Sequence, residues 1–233
     1  MKKKLLLLSI AVLCLGTFAS ADNFVIFPDR ASQNPNDIID WSQLGVAGTF
    51  VSTPALVSTF AGNLALVGNI PGGDFQRLDE GNGWGGGFDF LETLVWTGNP
   101  NLIPGTGFGP FAIELLNPVG SVGFSIEADL IAPFTYTVDL FDSGNNLLFS
   151  HTANGNFGCG FANGCVSFFG AGDLSGNNIA SIVISTDSGD PFWNNDFAID
   201  DVSFGTVPEP GSLVLLGSGL LGMAGFLRHR LGR

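Results

Sequence analysis

The residues in this chain best suited to chemistry are its acids. Asp187, Asp190, Asn194, Asn195 and Asp196, followed by Asp200-Asp201, offer the hard oxygen ligands that calcium prefers. The same residue types form ordinary turns and caps. Two readings therefore stand side by side: a calcium site on Asp190, Asp196, Asp200 and Asp201, or turn chemistry. Glu92 interrupts the apolar face Phe88, Phe90, Leu94, Trp96 of an expected strand. A buried acid there is an active-site candidate, and a strand edge accounts for it equally well. Outside the C-terminal tail His151 is the single histidine, and no Gly-x-Ser-x-Gly elbow is present, which argues against a hydrolase triad. A glycosidase needs only two carboxylates at a suitable separation, but no pair stands out. The expectation is a non-catalytic protein, with a secreted glycan-active hydrolase as the alternative.

Three further features carry chemistry. The run from Gly81 to Gly87 contains Trp84, but it lacks the Lys-Ser/Thr and the following helix of a phosphate loop. It reads as a loop presenting Trp84. Trp193 lies in a second polar loop, so both are candidates for stacking on the sugar rings of an extracellular polysaccharide, against packing beneath their loops. Trp41 and Trp96 sit in apolar contexts and are expected in the core. Cys159 and Cys165 flank a short Gly/Asn-rich segment, which reads as a disulfide in an oxidising compartment; a metal site would need more thiols or histidines.

The two ends supply the address. Met1-Lys2-Lys3-Lys4, an apolar stretch from Leu5 to Gly16 and Ala19-Ser20-Ala21 form a signal peptide, cut before Asp22. Cys14 follows Leu13, where a lipobox needs a small residue, so no lipid is expected. At the other end Val207-Pro208-Glu209-Pro210 breaks the chain, residues 213–227 are apolar, and Arg228, Arg230 and Arg233 follow. The prolines end the upstream domain. The apolar run is near the lower limit of a membrane span, and the arginines favour the cytoplasmic face.

This order of Pro-Glu-Pro, membrane-length segment and basic tail resembles the PEP-CTERM sorting signal of Gram-negative bacteria. The resemblance covers about the last tenth of the chain. It implies recognition by an exosortase-type transpeptidase, cleavage near Pro208, Glu209 and Pro210, and transfer to the cell surface or exopolysaccharide; a permanent uncut anchor is the alternative. The expected organisation is a signal peptide over 1–21, an extracellular domain over 22–206 and the sorting signal with its helix over 207–233.

Between the ends only Arg30 and Arg77 are cationic, whereas all 21 acidic residues except Glu209 lie there. This segment is more acidic than the whole chain's formal −13. Such a surface repels phosphates, which excludes nucleic acid as a partner.

The middle has strand periodicity. Val122, Phe124 and Ile126 alternate with Ser121, Ser125 and Glu127, and Tyr136, Val138 and Leu140 alternate with Thr135, Thr137 and Asp139. Residues 142–146 read as the turn of a hairpin returning through 147–150. Further strands are expected over 24–27, 49–51, 64–67, 88–96, 111–116, 166–169, 179–186 and 197–204. Short strands divided by Gly, Asn and Pro, with 22 Phe to fill a core, predict an all-β, two-sheet antiparallel β-sandwich, jelly-roll-like, plus the signal helix and a C-terminal transmembrane helix. In the last strand the apolar phase slips between 197/199 and 202/204, which predicts a β-bulge at Asp200-Asp201. That strand resembles the closing strand of jelly-roll carbohydrate-binding domains, and the resemblance implies calcium on an acid at this place.

Cys159 and Cys165 are expected to be paired in the exported protein, with a stabilisation near the lower part of about 2–4 kcal/mol because the closed loop is short. Thiol titration of denatured exported protein should find neither cysteine free; two reactive thiols would contradict the pairing.

Overall fold

The computed structural model describes residues 24–98, 109–156 and 166–205. The expected signal peptide, the expected Cys159–Cys165 disulfide, Pro208, Glu209 and Pro210 and the expected C-terminal transmembrane helix lie outside them. Among the described residues no helix is long and apolar enough to cross a membrane.

Two sheets face each other, with strands numbered in chain order. The smaller has the order β12 (Leu147–Gly155), β11 (Phe134–Phe141), β14 (Ile179–Asp187), β9 (Phe111–Val119), β5 (Leu64–Asn69) and β4 (Ala55–Ser58). The larger runs β1 (Phe24–Ile26), β13 (Ser167–Asp173), β10 (Ser121–Ala128), β15 (Phe197–Ile199), β8 (Thr93–Trp96), β6 (Phe75–Glu80) and β3 (Thr49–Val51). Off that path, β16 (Val202–Gly205) joins β10 to β2 (Asp37–Ile39), and β7 (Gly83–Trp84) lies beside β6. From β9 onward the chain passes back and forth between the sheets, except at the hairpin β11–β12 and between β15 and β16, where it stays in one sheet. This is the expected jelly-roll-like sandwich.

Alternation decides which side chains fill the space between the sheets. On β11 Phe134, Tyr136, Val138 and Leu140 are buried, and Thr135, Thr137, Asp139 and Phe141 are half-buried. The inner faces meet in one cluster that includes Trp41, Phe75, Phe111, Phe124, Ile126 and Phe204. Phe111 takes the edge of Phe75 at 5.3 Å and of Trp41 at 6.4 Å, a favourable aromatic geometry. The hairpin turn forms as expected: Asp142 Oδ1 accepts the Gly144 and Asn146 N–H groups, both at 2.8 Å.

The predicted bulge is present. Ile199 pairs with Ile126 and Ser203 with Gly123, so four steps on the last strand oppose three on β10. The extra residue breaks the strand into β15 and β16, and it lets Phe197, Ile199, Val202 and Phe204 all enter the core. The expected strand over 88–96 is shorter. Only Thr93–Trp96 pairs, because Phe88 to Glu92 form a turn with Leu91 at φ 68° and the Glu92 N–H on the Asp89 carbonyl at 2.9 Å. Phe88 is buried and Phe90 is 67 % exposed, so their spacing imitated a strand face without being one.

The outer face of the large sheet is also covered. A one-turn helix, α1 (Arg30–Gln33), is capped by Asp29, whose side chain accepts the Ser32 N–H at 2.7 Å. It lies over β10 and β13 and reaches β16 through Gln33. Gln33 accepts the Ser203 hydroxyl at 2.6 Å and donates to the Ser203 carbonyl at 3.1 Å. A side chain at position 123 would meet the Gln33 carboxamide at 2.5 Å, so Gly123 permits this approach. Further along, Leu78, Trp84, Phe88, Leu94, Trp96 and Ala198 form a second apolar cluster.

Candidate functional site

Covering both faces of the large sheet buries the acids that a solvent-facing strand would expose. They fall into two groups. The first surrounds the bulge. Asp200 Oδ2 accepts Arg30 Nη2 at 2.7 Å, Oδ1 accepts the Ser125 N–H at 2.6 Å, and its carbonyl accepts Trp41 Nε1 at 2.7 Å. Its own N–H donates to the Ser125 carbonyl at 3.2 Å. Every polar group of the extra residue is thereby used. Glu92 lies within hydrogen-bond reach of Asp200. Burial raises both carboxyls, that of Asp200 to about 7, because desolvation outweighs the Arg30 guanidinium and Glu92 adds like charge.

Asp201 has a hydrogen-bond partner of its own. The Thr93 hydroxyl stands 2.8 Å from Asp201 Oδ1 and 3.0 Å from Asp40 Oδ1. One hydroxyl proton serves one acceptor. The two acids respond oppositely. Burial pushes Asp201 up to about 6; burial acts on Asp40 as well, but bonds from Ser42 and Thr93, with Arg77 nearby, outweigh it and hold that carboxyl low. Arg77 itself pairs with Asp79 at 2.7 Å.

The second group has no guanidinium in it. Asp196 is fully buried; its Oδ1 accepts Trp96 Nε1 at 2.6 Å and its Oδ2 has no partner. The Asp129 N–H donates to the Asp196 carbonyl at 3.0 Å, and the register beyond Ala128–Phe197 sets these two acids opposite each other. Burial, with the like charge of Asp129, pushes Asp196 up to about 7. Glu127 Oε2 accepts Trp84 Nε1 at 3.1 Å and the Gly87 N–H at 3.0 Å, and Glu80 accepts the Gly86 N–H at 3.3 Å. The glycine run thus wraps two buried carboxylates with its backbone, and a side chain at Gly86 would collide with Glu127. Its glycines serve close approach, not display.

Several expected site residues are therefore redistributed. Trp84 is 7 % exposed with its indole N–H spent on Glu127, so it offers no stacking surface. Trp193 is half-buried in the loop before β15, beside the exposed Phe192. Asp190 closes that loop, its carboxylate accepting the Phe192 N–H at 3.0 Å. Asp190, Asp196, Asp200 and Asp201 do not converge: each faces different partners, and among the described residues no group of three or more acid, histidine or cysteine side chains is placed to hold a metal ion. Glu92 does lie in a buried acidic cluster, but as part of a turn. The sequence reading missed Arg30, Glu80, Glu127 and Asp129. Arg30 was detectable as one of only two cations in a strongly acidic segment. The three acids were not, since alternation alone puts Glu127 and Asp129 in solvent.

These raised carboxyls set a pH dependence. Each binds its proton more tightly folded than unfolded, so its contribution is full below the unfolded value near 4 and is lost as pH rises through 6 to 7. The exported protein should unfold at a higher temperature at pH 5 than at pH 8, by a few °C for on the order of 1–2 kcal/mol. Asp196→Asn should flatten that difference, mainly by raising stability at pH 8. An unfolding temperature that climbs from pH 5 to pH 8 would contradict the assignment.

No curated protein matches the chain. Among solved structures, a DUF4465 family protein from Bacteroides caccae is 9 % identical with a TM-score of 0.42, covering 72 % of this chain and 99 % of that one. The enzymatically active domain of tailspike protein 4 from bacteriophage CBA120 is 11 % identical with a TM-score of 0.30, covering 72 % and 20 %. Neither likeness bears on chemistry. The model of the PEP-CTERM protein-sorting motif matches residues 206–230, beginning at the residue after β16 ends, and the chain is therefore a protein that carries the PEP-CTERM sorting motif directly behind its sandwich.

Proposed function

We propose that this is a non-catalytic cell-surface or exopolysaccharide-associated protein, a compact acidic sandwich delivered by its C-terminal signal. The observation that carries the reading is the junction: β16 ends at Gly205 and the sorting motif starts at 206, so the sandwich is the cargo with no domain between. The acids, which were the best candidates for chemistry, support it as well. Asp200, Asp201, Glu127 and Glu80 are bonded to Arg30, Thr93, Trp84 and the glycine run, and Asp196 is closed off from solvent.

One observation favours the hydrolase alternative. Glu92 is only half-buried and lies against Asp200, and both carboxyls are raised, a pattern that also marks acid–base pairs. The purified exported protein should nevertheless release no sugar from polysaccharide. Turnover that Glu92→Gln abolishes while the protein stays folded would reverse the reading.

Sorting has its own test. In a host with an exosortase-type enzyme, mass spectrometry of surface material should find the chain ending near Pro208, Glu209 and Pro210. Full-length chains ending at Arg233 on the outer surface would show the tail to be a permanent anchor.

A further inference from the structure

The solvent side of the small sheet is not uniform. On β11 and β14 it carries Thr135, Thr137, Asp139, Ser181 and Ser185, with the half-buried Phe141 and Val183 as its apolar members. Across β9, β5 and the edge strand β4, the same side carries Leu56, Leu64, Leu66 and Leu116, which are 63, 37, 43 and 70 % exposed. Leu56 stands opposite Leu66, and one step past the Ala65–Leu115 pair the register sets Leu64 opposite Leu116. These side chains line a shallow groove of about 300 Å³ whose one charged member is Glu114. An antiparallel sheet normally turns polar residues to water, and contiguous apolar patches mark contact surfaces.

The patch adjoins the point where the chain leaves the sandwich. Gly205 shares a recess with Asp37, Asn63 and Asn117. Asn63 Nδ2 donates to the Asn117 carbonyl at 3.0 Å, and these residues are the chain neighbours of Leu64 and Leu116. Phe60, 77 % exposed, sits in the β4–β5 turn at the same end, its N–H on the Ile38 carbonyl at 3.0 Å.

Only residues 206–212 separate Gly205 from the apolar run that begins at Leu213. Fully extended, they reach about 25 Å. The headgroup layer takes about 6 Å of that, so Gly205 stands no more than about 20 Å from the lipid surface while the tail is inserted.

We propose that Leu56, Leu64, Leu66 and Leu116, with Phe60, form a membrane contact that lies against the bilayer holding the tail. This rests on the tail being membrane-held before processing. The charged groups nearest the patch, Glu114 and Asp37, are both acidic, so the surface it fits is a neutral, zwitterionic headgroup layer. Cleavage of the tail releases the face from that layer, and the sandwich leaves the membrane as one body.

The test uses the exported chain with its tail intact, in phosphatidylcholine vesicles whose acyl chains are brominated near the headgroup. Trp41, Trp84 and Trp96 are buried, and the half-buried Trp193 is removed from both chains as Trp193→Phe, so a tryptophan added at the surface reports its own surroundings. Leu116→Trp should be quenched about threefold more strongly than Thr137→Trp on the polar half of the same sheet, as for a side chain taken into the headgroup–acyl boundary. Equal quenching at both positions in chains that float with the vesicles would overturn the contact and leave the tail reading intact. Emission from the Leu116→Trp chain that is blue-shifted but unquenched, and dependent on protein density, would assign the face to a second copy and also overturn it. Chains that do not float with the vesicles would remove both.

Discussion

Asp200 is one residue more than β10 can pair with, and the contacts that absorb it tie the whole sandwich together. Trp41 from the core side holds its carbonyl, Arg30 from the outer side holds its carboxylate, and Ser125 of the facing strand holds its N–H and Oδ1. A bulge shifts the side-chain phase by one position, and here that shift puts Val202 and Phe204 into the same core as Phe197 and Ile199. Without it, half of the closing strand would present its apolar side to α1 and its polar side to the core.

The same contacts explain why one sheet is buried on both faces. Arg30 and Gln33 of α1 are fixed by Asp200 and Ser203, and the glycine run is fixed by Glu80 and Glu127. A sandwich segment whose only cations are Arg30 and Arg77 cannot neutralise every buried acid with an ion pair. It uses Arg30 and Arg77 in one half of this face, and indole and backbone N–H groups in the other. The cost appears as carboxyls pushed toward neutrality at Asp196, Asp200 and Asp201. Raised carboxyls often mark active sites. In the reading proposed for this protein, their bonds to Arg30, Thr93 and Trp96 make them part of the architecture.

Much of the fold was legible because period-two alternation is a local property. The strands at 49–51, 134–141 and 179–187, the hairpin turn and the bulge all follow from patterns a few residues long. The 88–96 strand misled because Phe88 and Phe90 keep the period while a turn sends only Phe88 inward. The site was less legible. Burial of Glu127, Trp84 and Asp196 depends on a second layer over the large sheet, built from segments 40 to 100 residues away in sequence. Local polarity cannot report that cover, so it left Trp84 open between display and packing beneath its loop, and the four aspartates open between one calcium site and turn chemistry. The leucine face gave no signal either, since Leu56, Leu64, Leu66 and Leu116 look like core positions until the register is known.

In the proposed reading, an acidic sandwich whose large sheet is covered on both faces is the cargo of the sorting tail that follows its last strand, and its buried polar cluster holds structure. The measurement closest to that claim is a double-mutant cycle of Arg30→Met and Asp200→Asn by denaturant unfolding at pH 8. The account predicts strong non-additivity, with a coupling of about 1.5–3 kcal/mol, because either change alone strands a charged partner. Effects that add to within about 0.5 kcal/mol would show that Asp200 does not depend on Arg30, and would return the acids around the bulge to the list of groups free for other chemistry.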